Sequence, residues 1–558
     1  MRFLILCVFI IFNASNDGKA SLESFMPNND NILLTDTTKN TDKSCNRPCK
    51  FNVKPRQCRY NFEIRPSFDE DEMPALTVNG MTPGPAIHVC LNDIVIVKVK
   101  NKISNQDLAM HWHGIEQKGT PYMDGVPMIT QCPISYGSTY EYAFIASSPG
   151  TFFYHSDSVL HQSDGVYGTV IVDQPQPLEP HVSLYDFDRN DEHTMVFAAR
   201  FPELLTAKLE DASQIKPTSL LVNGDQVNTK LFVMPGYSYR LRLINAIAIE
   251  CPVVVHASKH LMTVIAADAK PVQPVTSSTV KLYPGERLDV VVRMDQPTGG
   301  YWVEVSGEGP CEGIRAHAML LYSGFNYTSM MEEGANVDRH QHEAKDIVSG
   351  QQLQSVKDIP EVGKKNLIIL ASNRGVVQIN GKNFLYPNAP LLLKPREVQR
   401  DITCDVEKED KHKEPQCLQI LKVSNDVIEL VLVNEGHGSD DSYTFHMHGY
   451  STQIVATWSN PEKKPITKKY VNKLDVEGKI TRNLKNPPLK DTILVPNKGY
   501  TIVRLFPSFG GSWLLECRSC SLSMPTAILI NVPISIPKTV IDKLPSCGSY
   551  RPADVLLN

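Results

Sequence analysis

Apolar and polar residues alternate with a period of two along most of this chain. Residues 94–103 (IVIVKVKNKI), 168–174 (GTVIVDQ), 238–246 (SYRLRLINA), 287–294 (RLDVVVRM), 427–434 (VIELVLVN) and 500–506 (YTIVRLF) are short β-branched runs separated by Gly, Pro and Asn. Successive side chains of a strand point to opposite faces, so such runs read as strands with one or both faces buried. Sustained helical periodicity is scarce, and the pattern predicts all-β sandwich or barrel domains. Three segments repeat one theme: LTVNGMTPGPAI (76–87), LLVNGDQV (220–227) and VVQINGKNF (376–384) each set a hydrophobic strand before an Asn-Gly turn. That recurrence argues for repeated domains rather than one large sheet.

The length of 558 residues allows three or four units at a soft prior of about 150 residues each. Three sandwiches fit, and the organisation predicted is a signal peptide at 1–20, a cysteine-containing extension at 21–65, and domains at 66–175, 176–325 and 361–552. A polar, nearly aromatic-free linker at 326–360 separates the last two. The N-terminus predicts secretion: Met1 and Arg2 precede the apolar run FLILCVFIIF, and Gly18-Lys19-Ala20 is a cleavage site. That run is too short to cross a bilayer, and no later apolar stretch reaches about 18 residues, so no membrane span is predicted. Cysteine changes the picture further: of 13, Cys7 leaves with the signal and twelve remain, which favours disulfides in an oxidising compartment. Asn326-Tyr327-Thr328 is an acceptor site for one N-glycan. A net charge of −5 argues against nucleic acid or an anionic membrane as partner, and the lysine-rich stretch 463–490 reads as a solvated loop.

Histidine supplies the candidate chemistry. His340 and His342 lie in the polar linker without strand context and read as surface residues. The others sit in apolar, turn-bounded sequence: His111 and His113 in AMHWHGIEQ, His155 and Asp157 in GTFFYHSDSV, His446 and His448 in SYTFHMHGY. Residues i and i+2 of a strand share a face, so each pair aims two side chains at one spot, and imidazole suits copper, zinc and iron. Three such pairs point to a shared metal centre. In GSWLLECRSC (511–520), Glu516, Cys517 and Arg518 adjoin, and Cys517 reads as a metal ligand, half a disulfide or a relic.

These motifs resemble the multicopper oxidase family from Cys45 to about Pro552, and within it the insect laccase-type branch with its ligand-depleted, multicopper oxidase-related members. The resemblance is carried by AMHWHGIEQKGTPYMDGVPMITQCPI, by CNRPCK and PRQCRYNFEI (45–64), and by TPGPAIHVCLNDIVIV, PGERLDVVV and LPSCGSY. It implies three cupredoxin-like Greek-key β-sandwich domains, a type 1 copper held by one cysteine and two histidines, and a trinuclear cluster held by eight histidines. Carried over, His111 and His446 fall on the type 2 positions. His113 and His155 fall on one type 3 copper, whose third position is Arg518. His448 falls on the other, whose remaining positions are Asp157 and Glu516. Cys517 keeps its type 1 position, whereas Tyr443 and Leu522 stand where its histidines belong, and no histidine lies in 449–558. Copper is therefore expected to be absent or substoichiometric, with Arg518 paired to Asp157 and Glu516 in its place. The alternative is one residual ion held by His111, His446 and His448 with Asp157 or Glu516. The resemblance also implies disulfides Cys90–Cys547 and Cys132–Cys251. Cys45, Cys49, Cys58, Cys311, Cys404 and Cys417 are left with open connectivity, and a local Cys517–Cys520 bridge is preferred. The function expected is a secreted, non-catalytic homologue with a binding or structural role toward an extracellular partner that the sequence does not identify. The alternatives are an active laccase-like oxidoreductase acting on diphenols or Fe(II), and a copper or iron binder without turnover.

Overall fold

The three Asn-Gly sites are tight turns in which both residues adopt positive φ: 56° and 80° at Asn79-Gly80, 52° and 89° at Asn223-Gly224, 52° and 74° at Asn380-Gly381. Each is closed by a bridge between its flanking residues, Val78 to Met81, Val222 to Asp225 and Ile379 to Lys382. Asn and Gly enter this region at low steric cost, which is why the same dipeptide opens each domain's sandwich. The computed structural model describes residues 45–69, 71–188, 192–208, 215–325, 347–356, 370–373, 376–406, 415–424, 427–436, 442–520, 525–545 and 547. The segment read as a signal peptide, Asn326, His340, His342 and Leu522 lie outside the described residues.

Each domain is a pair of facing sheets. In the first, the strands Pro74–Val78, Gln57–Phe68, Ile94–Asn101 and Thr139–Ile145 face Ile87–Cys90, Tyr167–Asp173, Gly150–Ser156 and Met110–His113. Val95, Val97, Phe144, Val89, Val170 and Tyr154 from both sheets meet in one core. The second domain packs two six-stranded sheets over Phe197, Leu241, Val290, Val255, Val303 and Leu320, and the third packs a seven-stranded on a four-stranded sheet. The alternating runs fold as read: Ile94–Asn101, Tyr167–Asp173, Ser238–Asn245, Arg287–Arg293, Ile428–Asn434 and Gly499–Leu505 are strands.

Several expectations are corrected. The strand Gln57–Phe68 pairs in parallel with Ile94–Asn101 and runs through residue 65, so a boundary there cuts the first sheet. Within the linker, Ile347–Ser349 pairs with Thr279–Leu282 and extends the middle domain. The lysine-rich stretch is not simply a solvated loop: Lys468–Val476 is a helix whose N-cap, the Thr467 hydroxyl, accepts from the Tyr470 amide. Lys490 is fully buried because Asp268 and Glu286 neutralise it at 2.8 and 2.9 Å. The cysteines pair as 45–58, 49–90, 132–547, 251–311, 404–417 and 517–520. The pairings Cys90–Cys547 and Cys132–Cys251 are thus overturned: Cys49 lies against Cys90 and Cys311 against Cys251, with Cα separations of 5.6 and 5.5 Å that suit a bridge.

The first and third domains dock through an apolar seam. Val126 and Ile129 pack with Phe384, Ala389, Leu514 and Leu529, and the amides of Leu391 and Leu392 donate to the carbonyls of Met128 and Ile129. The histidines gather beside this seam.

Candidate functional site

Register explains how the site assembles. Met110–His113 runs antiparallel to Gly150–Ser156 with His111 opposite His155, and Tyr443–Met447 lies beside Gly511–Cys517 with His446 opposite Glu516. His113 and His448 follow two residues along, on the same faces as their partners. All five histidines are buried and converge between the first and third domains.

Hydrogen bonds fix the imidazoles individually. His111 Nδ1 donates to the Asp124 carbonyl at 2.7 Å, and His446 Nδ1 to the Asp491 carbonyl at 3.2 Å. The two Nε2 atoms then face each other at 3.2 Å, each with its lone pair outward. His155 Nδ1 donates to the Ser156 carbonyl, which leaves its Nε2 to accept from His113 Nδ1 at 3.2 Å. Burial, reinforced by neighbouring imidazoles or by Arg518, holds His111, His113 and His155 well below the ordinary histidine range, and burial also lowers His446. These four are neutral at pH 7.

His448 is different. Its Nδ1 lies 2.8 Å from Asp124 Oδ2 and its Nε2 lies 3.1 Å from Glu516 Oε1. Burial opposes its charge, but Asp124 and Glu516 outweigh burial and push the imidazole up to about 10. Burial likewise opposes ionisation of Glu516, and Arg518 and His448 outweigh it, bringing that carboxyl to about 2. Arg518 donates to Glu516 Oε1 at 3.2 Å, and to the Ser156 carbonyl and Gln162 Oε1 at 3.0 Å each. The chain Asp124–His448–Glu516–Arg518 therefore alternates in sign and crosses from the first domain into the third. Arg518 makes no hydrogen bond to Asp157, contrary to the expected pairing: Asp157 Oδ1 is sealed from solvent with no hydrogen-bond partner. Burial, then the Glu516 charge, pushes the Asp157 carboxyl up to about 7.

Asp124, Asp491 and Arg287 escaped sequence reasoning. Asp124 reaches the histidines because Gly125 turns at φ 86° directly against the Met110 carbonyl, where a Cβ would lie 1.8 Å from the oxygen. Asp491 sits 3.5 Å from both His113 Nε2 and His446 Nδ1 and is gripped at two points, 2.6 Å each, by Arg287 of the middle domain. The one signal was position: Asp124 lies within the PYMDGVPM run, eleven residues past His113.

At the other end, Cys517 is buried and bridged to Cys520, with Tyr443 in the same hydrophobic core. The Ser519 hydroxyl donates to Glu250, which also accepts from the Thr444 amide and hydroxyl, so this turn is tied to the middle domain. Among the described residues, the side-chain groups close enough to share one ion are His111, His113 and His446, and His111, Asp124 and His448; neither includes Cys517, Asp157 or Glu516.

Three β-sandwiches with a donor-rich, buried seam between the first and third define a cupredoxin-like, three-domain protein. Profiles described as multicopper oxidase match residues 63–177, 198–324 and 385–520 in succession. The chain belongs to the multicopper oxidase family. It is 26% identical over 523 residues to L-ascorbate oxidase of Cucurbita maxima, spanning 82% of this chain and 87% of that protein. It is 28% identical over 474 residues to Laccase-2 of Botryotinia fuckeliana, spanning 80% and 76%. In fold it is similar to the crystal structure of Fet3p, a multicopper oxidase that functions in iron import, with a TM-score of 0.71, 18% identity and coverage of 88% and 94%.

Copper is the metal this family implies, and the residues present fit it unevenly. A thiolate-bound copper does not fit, because the Cys517 sulfur is committed to a disulfide and no ion-holding group includes it. One ion fits at His111 and His446, whose opposed lone pairs lie 3.2 Å apart, near the roughly 3.3 Å spanned by two nitrogens about 2.0–2.1 Å from one tetrahedral metal.

Proposed function

We propose that this chain is a secreted member of its family that does not reduce oxygen with four coppers and serves instead as an extracellular binding or structural protein, akin to the ligand-depleted insect members. The bridged Cys517 carries this reading. Electrons enter such an oxidase through a copper held by a cysteine thiolate, and a disulfide sulfur has no thiolate to offer. The neighbouring positions support it. Arg518 keeps a permanent positive charge among the histidines, and Asp124 together with Glu516 holds His448 as a cation instead of leaving it a neutral donor. Six disulfides among the described residues support an oxidising, extracytoplasmic setting.

The facing Nε2 atoms of His111 and His446 favour a second reading, a protein that holds one copper, zinc or iron ion without turnover. Bound there, the ion would supply charge between the first and third domains. Metal analysis of the secreted protein, with its visible absorbance and oxygen uptake on a diphenol and on Fe(II), separates the readings. The first expects no copper-thiolate band and no uptake. One equivalent of metal without uptake favours the second reading, and a four-copper complement with uptake overturns both.

A further inference from the structure

Residues 462–485 carry eight Lys and Arg against three Asp and Glu, a local charge of +5 in a chain whose total is −5. The fold presents that charge on a fixed surface. The helix Lys468–Val476 buries Val471 against Val431, Val455, Ile466 and Tyr500. At about 100° per residue, Lys469 and Lys473, four residues apart, share the arc facing away from that core, while Lys468 lies on its flank, three residues before Val471; all three are exposed. Arg482 bonds Glu429 at 2.7 Å and Asp475 at 2.8 Å, which pins the end of the helix to the sheet. Lys463 and Lys464 are exposed on the turn that precedes the helix: Lys463 sits at φ 52° with its amide donating to the Asn460 carbonyl, and the Asn460 side chain donates to the Lys464 carbonyl at 2.8 Å. Of the acids at this surface, Asp475 is taken by Arg482 and Glu435 accepts from the Lys468 amide, while Glu462 and Glu477 make exposed pairs with Lys464, Lys473 and Lys479, weak contacts that a stronger polyanion displaces.

We propose that this face binds a sulfated polysaccharide. A cluster of exposed ammonium groups on a packed helix and the turn before it suits the closely spaced sulfates of such a chain, and neutralising them releases counterions. Two other polyanions fit less well. A protein with six disulfides works in an oxidising compartment, away from nucleic acid. The anionic leaflet of a cell membrane faces the cytoplasm, and the helix commits Val471 and Leu474 to the domain core, so that its exposed apolar side chains are Tyr470 and Val476 alone. The proposal rests on the extracellular placement above and is indifferent to the state of the copper positions, so a secreted chain that fails to bind overturns this surface and leaves that placement standing.

The test is equilibrium binding of the full secreted chain to immobilised heparin at about 0.15 M salt. Binding is expected, weakening steeply with salt, and the combined Lys468→Ala, Lys469→Ala, Lys473→Ala variant should lose on the order of a hundredfold in affinity, as three lysines facing an anionic surface would. A control that removes three lysines elsewhere, Lys98→Ala, Lys118→Ala and Lys394→Ala, should lose less than about threefold. Acetylation mapping of the unaltered protein supplies a readout free of folding effects, with heparin expected to protect Lys468, Lys469 and Lys473. No binding, equal loss in both variants, absent protection, or equal affinity for unsulfated hyaluronan, duplex DNA or phosphatidylserine vesicles would each overturn the proposal.

Discussion

Asp157 and Glu516 carry the same functional group in one pocket, and their surroundings drive them to opposite protonation states. Glu516 gains two cationic partners and stays ionised down to about pH 2. Asp157 has one oxygen sealed away without a partner and holds its proton up to about pH 7. The sign for stability follows from linkage. A carboxyl whose pKa rises on folding, here from 3.8 to about 7, favours the fold fully below 3.8 and loses that contribution as pH climbs through 7. Removing its charge should therefore help only where it is charged. Asp157→Asn is expected to raise the melting temperature at pH 8, with a ceiling of about 4 kcal/mol set by the gap between the two pKa values, and to match the parent below about pH 4. Scanning calorimetry across that range checks it; a variant less stable at pH 8 would mean that the carboxylate has an ionic partner.

Strands and loops contributed unequally to what could be read in advance. His111, His113, His446 and His448 lie on or at the end of strands whose period of two is written in the sequence, so the convergence of each pair was legible. Asp124 and Asp491 come from loop and strand-end positions, and Arg287 from another domain; nothing in local periodicity says where a loop or a neighbouring domain will sit. The disulfides failed for the same reason, since pairing Cys132 with Cys547 depends on docking the chain's last segment on the first domain. The helix Lys468–Val476 was hidden because only Val471 and Leu474 mark its inner face among lysines. Loop placement is nevertheless strict. At Gly125 a side chain would meet the Met110 carbonyl and occupy a left-handed conformation. Gly125→Ala should cost more than about 2 kcal/mol, read as a lowered urea midpoint at unchanged slope, because the strain persists unless Asp124 leaves His448.

The three domains are held together by charge as well as by apolar packing. Lys490 of the third domain is neutralised by Asp268 and Glu286 of the second, while Arg287 of the second grips Asp491 of the third and donates to the Thr151 carbonyl of the first. All of these groups are buried. Such a network adds little over well-packed hydrophobic residues, but breaking it by halves is expensive, because the orphaned charge stays in a medium that cannot solvate it. Lys490→Met keeps the length of the side chain and strands two carboxylates with only Arg287 nearby, at 3.5 Å from Asp268. The expected cost is about 3–5 kcal/mol. Because the strain falls where the second and third domains meet and each domain keeps its own core, the loss should also appear as separation: calorimetry is expected to show these domains melting further apart in the variant than in the parent, with the lower transition rising as pH falls and the stranded carboxyls take up protons. A variant that melts as the parent does would show that apolar packing alone keeps these domains docked.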